Sequence, residues 1–152
     1  AWASLILGTS LLGQRIRDVL AIVQAVKNTP EMARKPLALA ARGRLTVPAL
    51  FAFAVNQDLG SLYLAGGLTS FKSVLETEQY AQPLANFAWD LFRFTDLPEL
   101  AAQSAPRLIH VAGAVDGGNR RVNLAEIKPV YTSGNVRFSS EPKWDATSLA
   151  SV

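Results

Sequence analysis

The sequence predicts a single α/β domain in which helices alternate with about four mostly parallel strands. Four short apolar segments have strand character, at 36–41, 61–67, 107–112 and 135–140. Alternation of helices and strands is typical of right-handed crossovers between parallel strands. The segment PLALAA at 36–41 is apolar on both faces, as expected for a strand covered from both sides. We therefore expect helices on both faces of the sheet.

The helices follow from apolar spacing and from their end signals. The longest pattern covers 9–28 and repeats every three or four residues, at Leu12, Ile16, Val19, Leu20, Val23 and Val26. Thr9 or Ser10 can cap its start, and Pro30 ends it. Further helices are predicted at 47–55, 96–103 and 123–131, with a last turn within 145–152.

Between the second and third predicted strands lies an aromatic segment, 70–93, that we expect to be helical with a break at Pro83. Its rings are Phe71, Tyr80, Phe87, Trp89 and Phe92. Such a stripe can line a pocket for an acyl or sugar group, but more often it packs a segment onto the sheet.

The composition of the chain limits the classes of function that it can have. The chain has 152 residues, of which 49% are apolar and 18% charged, enough for one domain with a core. Its net charge of +3 is scattered, which argues against nucleic-acid binding, and no apolar run is long enough to cross a membrane. With no cysteine and one histidine, we expect no metal and no cofactor. The sequence leaves the compartment open, and a start without methionine favours a processed product or a fragment.

The stretch LALAARGRLTVPAL at 37–50 places an apolar strand, a glycine turn and an apolar helix in succession. Serine hydrolases of the α/β type use this arrangement, with the pattern G-x-S-x-G, to lift a serine above the sheet. On this chain the five positions run from Ala41 to Leu45, and Gly43 occupies the place of the serine. Glycine tolerates the strained conformation of such a turn, but it has no hydroxyl to form an acyl-enzyme.

Taken in order, these segments resemble the C-terminal half of the α/β-hydrolase family, specifically its acetyl-xylan-esterase-like and dienelactone-hydrolase-like esterases. Residues 11–55 resemble the helix, strand, nucleophile turn and following helix, and 61–87 resemble the next strand and a lid-like insertion, which we place at 70–93. The resemblance implies a partial α/β-hydrolase fold over the whole chain, 1–152. The family's N-terminal strands, and the loop that supplies half of its oxyanion hole, have no counterpart here.

The resemblance also assigns the other members of a catalytic triad. Residues 96–121 resemble the helix and strand that deliver the acid, which places Asp116 in that role. The alternative is a local turn made by Asp116 before two glycines. The family's histidine follows the last strand, where this chain has none. His110 lies inside a predicted strand, and we expect a hydrogen-bonded histidine in or near the core.

The segment GTSLLG at 8–13 offers a second candidate for the nucleophile. Ser10 follows apolar residues and precedes a helix, but the spacing G-x-S-x-x-G is one residue too long. A helix cap is the better interpretation of Ser10.

Two functions follow from these observations. The first is the C-terminal domain of a carbohydrate or acetyl esterase, inactive alone, whose whole protein would be secreted or periplasmic. The second is a non-catalytic pseudo-hydrolase module for structure, interaction or ligand binding. An unpaired sheet edge at 36–41 would pair with a second copy or with the missing N-terminal half. A carbohydrate ester is the expected substrate of the whole enzyme.

Overall fold

The structure, a computed structural model, describes residues 2–6 and 8–150. The helices are α1 (Trp2–Ile6), α2 (Leu11–Lys27), α3 (Thr46–Val55), α4 (Phe71–Leu75), α5 (Leu97–Gln103), α6 (Leu124–Ile127) and α7 (Ala146–Ala150). The strands are β1 (Leu37–Arg42), β2 (Leu59–Ala65), β3 (Leu108–Ala112) and β4 (Val136–Ser139). Short 3₁₀ turns cover Gly43–Leu45, Leu84–Asn86 and Leu91–Arg93.

The four strands form one sheet in the order β1-β2-β3-β4, and every neighbouring pair is parallel. The α/β class and the parallel sheet are therefore confirmed. In register, Arg42 lies beside Ala65 and Ala65 beside Ala112, so three strands end at nearly the same level. Within the described residues β1 lies at an edge of the sheet and has a single strand neighbour.

One face of the sheet carries most of the core. Leu62, Leu64, Ile109 and Val111 point into it; α3 packs over the sheet, and α2 and α5 pack against α3. Phe53 of α3 is completely buried there. The periodicity predicted for α2 agrees with this packing at four of its six positions, because Leu12, Ile16, Val19 and Val23 meet the same cluster.

The other face is only thinly covered. Tyr63, Ala65 and Ala112 are buried on it, with Leu149 of α7 packed against them. Each face therefore carries helix, as predicted, but the short α7 covers far less than the helices opposite. On β1 the same face is open, since Ala38 and Ala40 are exposed. The last turn of helix predicted at 145–152 is present as α7, and residues 151–152 lie outside the described part.

The aromatic segment at 70–93 differs from the prediction. It contains one short helix, α4, followed by irregular chain and two 3₁₀ turns. Polar residues and Pro83 interrupt the backbone hydrogen bonding that a continuous helix needs. Long-range contacts then hold the irregular path, because the buried Asn86 side chain donates to the Arg44 carbonyl (3.1 Å). The helix predicted at 123–131 is likewise shorter and ends at Ile127, ahead of Pro129.

Asp96 joins the end of this segment to the core. Its Oδ1 atom accepts hydrogen bonds from the N–H groups of Phe71 and Leu97, both at 2.6 Å. Its Oδ2 atom accepts a third from the N–H of Lys72 (3.1 Å). One carboxylate thus serves the starts of both α4 and α5, whose first N–H groups have no partner within their own helices.

Candidate functional site

The carboxyl edge of the sheet is shaped by glycines. Gly43, Gly66 and Gly113 directly follow β1, β2 and β3, and all three have positive φ, between 56° and 61°. Only glycine adopts this conformation without steric cost. Ligands of open α/β sheets bind beyond the carboxyl ends of the strands, so this edge is the first place to look for a site.

The turn at Gly43 has the shape that the sequence predicts. Arg42 is still extended, Gly43 has φ of 56°, and a 3₁₀ turn leads into α3 at Thr46. The Thr46 hydroxyl donates to the Gly43 carbonyl (2.7 Å), which fixes the turn. A Cβ atom added to Gly43 would meet no other atom within 4 Å. A side chain at this position would have room above the sheet, but glycine supplies no reactive atom.

The first and last positions of the predicted motif, Ala41 and Leu45, have different surroundings. Ala41 is buried, which accounts for a small residue at the first position. Leu45 stands where glycine is usual, and it is 58% exposed, so its bulk meets no constraint. Close packing in this region occurs instead between Thr46 and Gly67, where an added Cβ would lie 2.4 Å from the Thr46 hydroxyl oxygen.

Asp116 lies in the loop after β3, at the same edge of the sheet, where its carboxylate is held locally. Its Oδ1 atom accepts from the N–H of Arg120 (2.8 Å), and its Oδ2 atom accepts from the Arg120 guanidinium (3.0 Å). Partial desolvation raises the pKa of Asp116, but the hydrogen bonds and charge of Arg120 outweigh it and lower the pKa overall. The carboxylate is thus ionised and engaged in the local turn that was the alternative interpretation of this residue.

The loop that contains Asp116 is also anchored to α4. The Gly117 N–H donates to the Ser73 hydroxyl (2.8 Å), and the Gly117 carbonyl accepts from the N–H of Ala81 (2.8 Å). A Cβ at Gly117 would lie 2.5 Å from the Ser73 carbonyl oxygen, so glycine is needed for this close approach. The loop is therefore a packed part of the domain.

His110 lies inside β3, half-buried and hydrogen-bonded, as the sequence predicts. Its Nε2 atom is 3.1 Å from the Ser139 hydroxyl, and its ring meets the Tyr63 ring edge-on at 5.1 Å. These residues border a cleft of about 450 Å³ on the thinly covered face of the sheet. Desolvation, then the charge of Arg137, lower the pKa of His110 below its ordinary value. No hydrogen bond joins His110 to Asp116 in the described residues.

Ser10 is the N-cap of α2, as predicted. It has extended backbone dihedrals, and its hydroxyl accepts from the N–H of Gly13 (3.0 Å). The residues before it, from Trp2 to Ile6, are helical, which differs from the strand that a nucleophile turn requires. Leu7 lies outside the described residues.

Sequence analysis missed Asn86, a polar side chain with no exposed surface. Besides its bond to Arg44, its Oδ1 atom accepts from the Arg15 guanidinium (3.3 Å). It thereby ties the aromatic segment to both α2 and the glycine turn. Its partners lie 71 and 42 residues away in the sequence, so no local signal could reveal it.

Residues 2–6 and 8–150 contain neither a metal-binding cluster nor a helix able to span a membrane. This part of the chain holds no group of three or more His, Cys, Asp or Glu side chains able to bind a metal ion. It also lacks a helix of the length and apolarity that a membrane span requires.

Fold and site together define a class, an open parallel α/β domain with a candidate site at the carboxyl edge of its strands. No protein-family model, curated protein or solved structure matches this chain. The functional assignment therefore depends on the fold and on the geometry of this edge.

Proposed function

We propose that this chain is the C-terminal part of an esterase-like α/β-hydrolase and that it is catalytically inactive by itself. The observation that carries the proposal is the Gly43 turn, which keeps a strand–turn–helix corner and the left-handed backbone while lacking any nucleophilic atom. A carbohydrate ester, such as an acetylated sugar, is the proposed substrate of the whole enzyme.

The positions expected for the triad acid and the triad histidine support the same proposal. The turn follows β1, and the acid loop with Asp116 follows β3, two strands away along the parallel sheet. The segment after β4 supplies no histidine. A serine hydrolase acts through nucleophile and base together, so the absence of both leaves no route to an acyl-enzyme in this chain.

Hydrolysis of a short-chain nitrophenyl ester, with labelling by a fluorophosphonate probe, tests the proposal. We expect neither turnover nor a covalent label. Ser10→Ala and Ser139→Ala are matched controls, because Ser10 is the other nucleophile candidate and Ser139 is the serine that contacts His110. Turnover lost in either variant, with the label mapped to that serine, would contradict the proposal.

A second candidate function is a non-catalytic module that acts by association. It is favoured by the position of β1 at the sheet edge and by the exposed small side chains of Ala38 and Ala40 beside it. Unpaired edges of apolar strands recruit further strands, either from a second copy or from a missing N-terminal half.

Sedimentation velocity over a range of concentrations tests this second function. A self-associating module would sediment as a dimer, and Ala40→Lys would return it to the monomer by placing a charge beside the edge. Ala33→Lys, in the exposed turns that precede β1, is the control. A monomer at every concentration would exclude pairing with a second copy.

A further inference from the structure

Exposed apolar side chains are concentrated in one part of the molecule, between residues 75 and 94. Of the twelve large apolar side chains that are exposed in the described residues, six lie there: Leu75, Tyr80, Leu84, Trp89, Phe92 and Phe94. Trp89 is 86% exposed. A monomeric domain rarely concentrates apolar surface in this way without a binding role.

All of these residues except Phe94 border a cleft of about 610 Å³, within the range of small-molecule sites. Four aromatic residues line it: Tyr80, Phe87, Trp89 and Phe92. Three charged residues line it as well: Glu78, Asp90 and Arg93. We call this the aromatic cleft. It is formed by the end of α4 and the segment that follows it, and it does not include Gly43 or Asp116.

The rings that line the cleft pack against one another edge to face. Phe87 meets Tyr80 at an interplanar angle of 79° and Phe92 at 87°, with centroids 6.3 and 5.7 Å apart. Phe92 in turn stacks on the buried Phe71 at 4.9 Å, which anchors the rings to the core. The aromatic lining is therefore held in place by ring packing that reaches the core.

The charges of the aromatic cleft favour a positively charged ligand. The Arg93 guanidinium lies 3.1 Å from the Asp90 carboxylate, so these two charges compensate each other. Glu78 forms no ion pair with any described residue, which leaves the cleft with one net negative charge. The protein as a whole carries +3, so this negative charge is a local feature.

A cation that enters an aromatic cleft must lose part of its hydration. Aromatic faces attract cations through the ring quadrupole, and the attraction is strongest where water is excluded. A quaternary ammonium has no N–H groups to leave unsatisfied, so its desolvation costs less than that of a lysine-type ammonium.

From this geometry we propose that the aromatic cleft binds a quaternary ammonium group carried by a small organic molecule. The proposal is independent of the esterase-like plan, because it uses none of the residues of the carboxyl edge.

Two probes of the same shape test the proposal: 4-(trimethylammonio)benzyl alcohol, which is cationic, and 4-tert-butylbenzyl alcohol, which is neutral. Binding is followed by the Trp89 indole N–H signal in ¹H–¹⁵N spectra, assigned with Trp89→Leu. We expect the cation to bind about 5- to 30-fold tighter than its neutral counterpart. Equal affinities would reduce the site to an apolar cleft, and failure of both probes to bind would remove the site altogether.

The variant Glu78→Gln tests whether the charge of Glu78, and not the shape of the cleft, causes the preference for the cation. We expect this variant to lose most of the preference for the cation while its affinity for the neutral probe stays unchanged. Glu76→Gln is the matched control, since Glu76 is exposed nearby but pairs with Lys72 and does not line the cleft. A preference that survives Glu78→Gln, or that Glu76→Gln abolishes equally, would overturn the assignment of Glu78.

Discussion

The two faces of the sheet differ in how well helices cover them. On one face, strand side chains such as Leu62 and Ile109 meet three helices and are fully buried. On the other, Tyr63 and Ala112 are buried mainly through Leu149 and the chain leading into α7. Stability should therefore depend on the first face. The second face is thinly covered, and there the strand side chains of His110 and Ser139 border a cleft.

The largest expected difference between the faces comes from core truncation. Phe53→Ala should lower the free energy of unfolding by about 3–5 kcal/mol, because Phe53 is fully buried among α3, α5 and the sheet. It would also remove the ring over which the Arg107 guanidinium lies, 4.2 Å from the centroid. Leu149→Ala on the other face should cost about 1 kcal/mol or less. Urea unfolding measures both, and comparable losses would contradict the asymmetry.

A smaller difference is expected between two aspartates that cap helices on opposite faces. Asp96→Ala should cost about 2 kcal/mol, because three N–H groups at the starts of α4 and α5 lose their acceptor. Asp145→Ala, which removes the acceptor of the Ser148 N–H in α7, should leave the urea midpoint unchanged. Asp96→Asn is the conservative control and should retain part of the stability. A larger loss for Asp145→Ala would show that α7 matters more than its packing indicates.

The smallest effect is a pH dependence on the open face. The pKa of His110 is below its ordinary value of 6.5, so the unfolded chain takes up a proton first as the pH falls. The stability contributed by neutral His110 is therefore present above about pH 6.5 and is lost as the pH falls toward the folded-state pKa. Because His110 is the single histidine, His110→Gln should flatten this part of the stability curve.

An NMR titration of the His110 ring measures this pKa directly. Arg137→Gln should raise it, since the Arg137 charge is the second cause of the shift after desolvation. Arg17→Gln, on the exposed face of α2, should leave it unchanged. A pKa at or above 6.5 in the unmodified protein would contradict the described environment of His110.

Local signals were sufficient for most of the sheet and for the helices that pack on it. Predicted β1, β3 and β4 lie within two residues of their observed bounds, as do α3 and α5. β2 ends at Ala65 instead of continuing to 67, because the chain turns at Gly66 with φ of 61°. The Ser10 cap and the Gly43 turn were also predictable, since each depends on residues within a few positions of one another.

The aromatic segment could not be predicted in the same way. Its ring spacing suggested a helix, but its path is determined by Asn86 and Asp96, whose partners come from other elements. The aromatic cleft depends on that path, because Glu78 and Phe92 line it together only after the chain has folded back. No pattern in the sequence relates these positions.

By itself, the sequence determined the alternation of helices and strands, the glycine turn after the first strand and the lack of a histidine after the last strand. These features depend on residue type and short-range geometry, which are fixed along the chain. The tertiary structure alone decided which face of the sheet is well covered, that Arg120 holds the Asp116 carboxylate in a local turn, and that an aromatic cleft exists whose Glu78 carboxylate has no ion-pair partner among the described residues. Those features depend on which side chains meet once the chain is packed, and packing is a property of the whole domain.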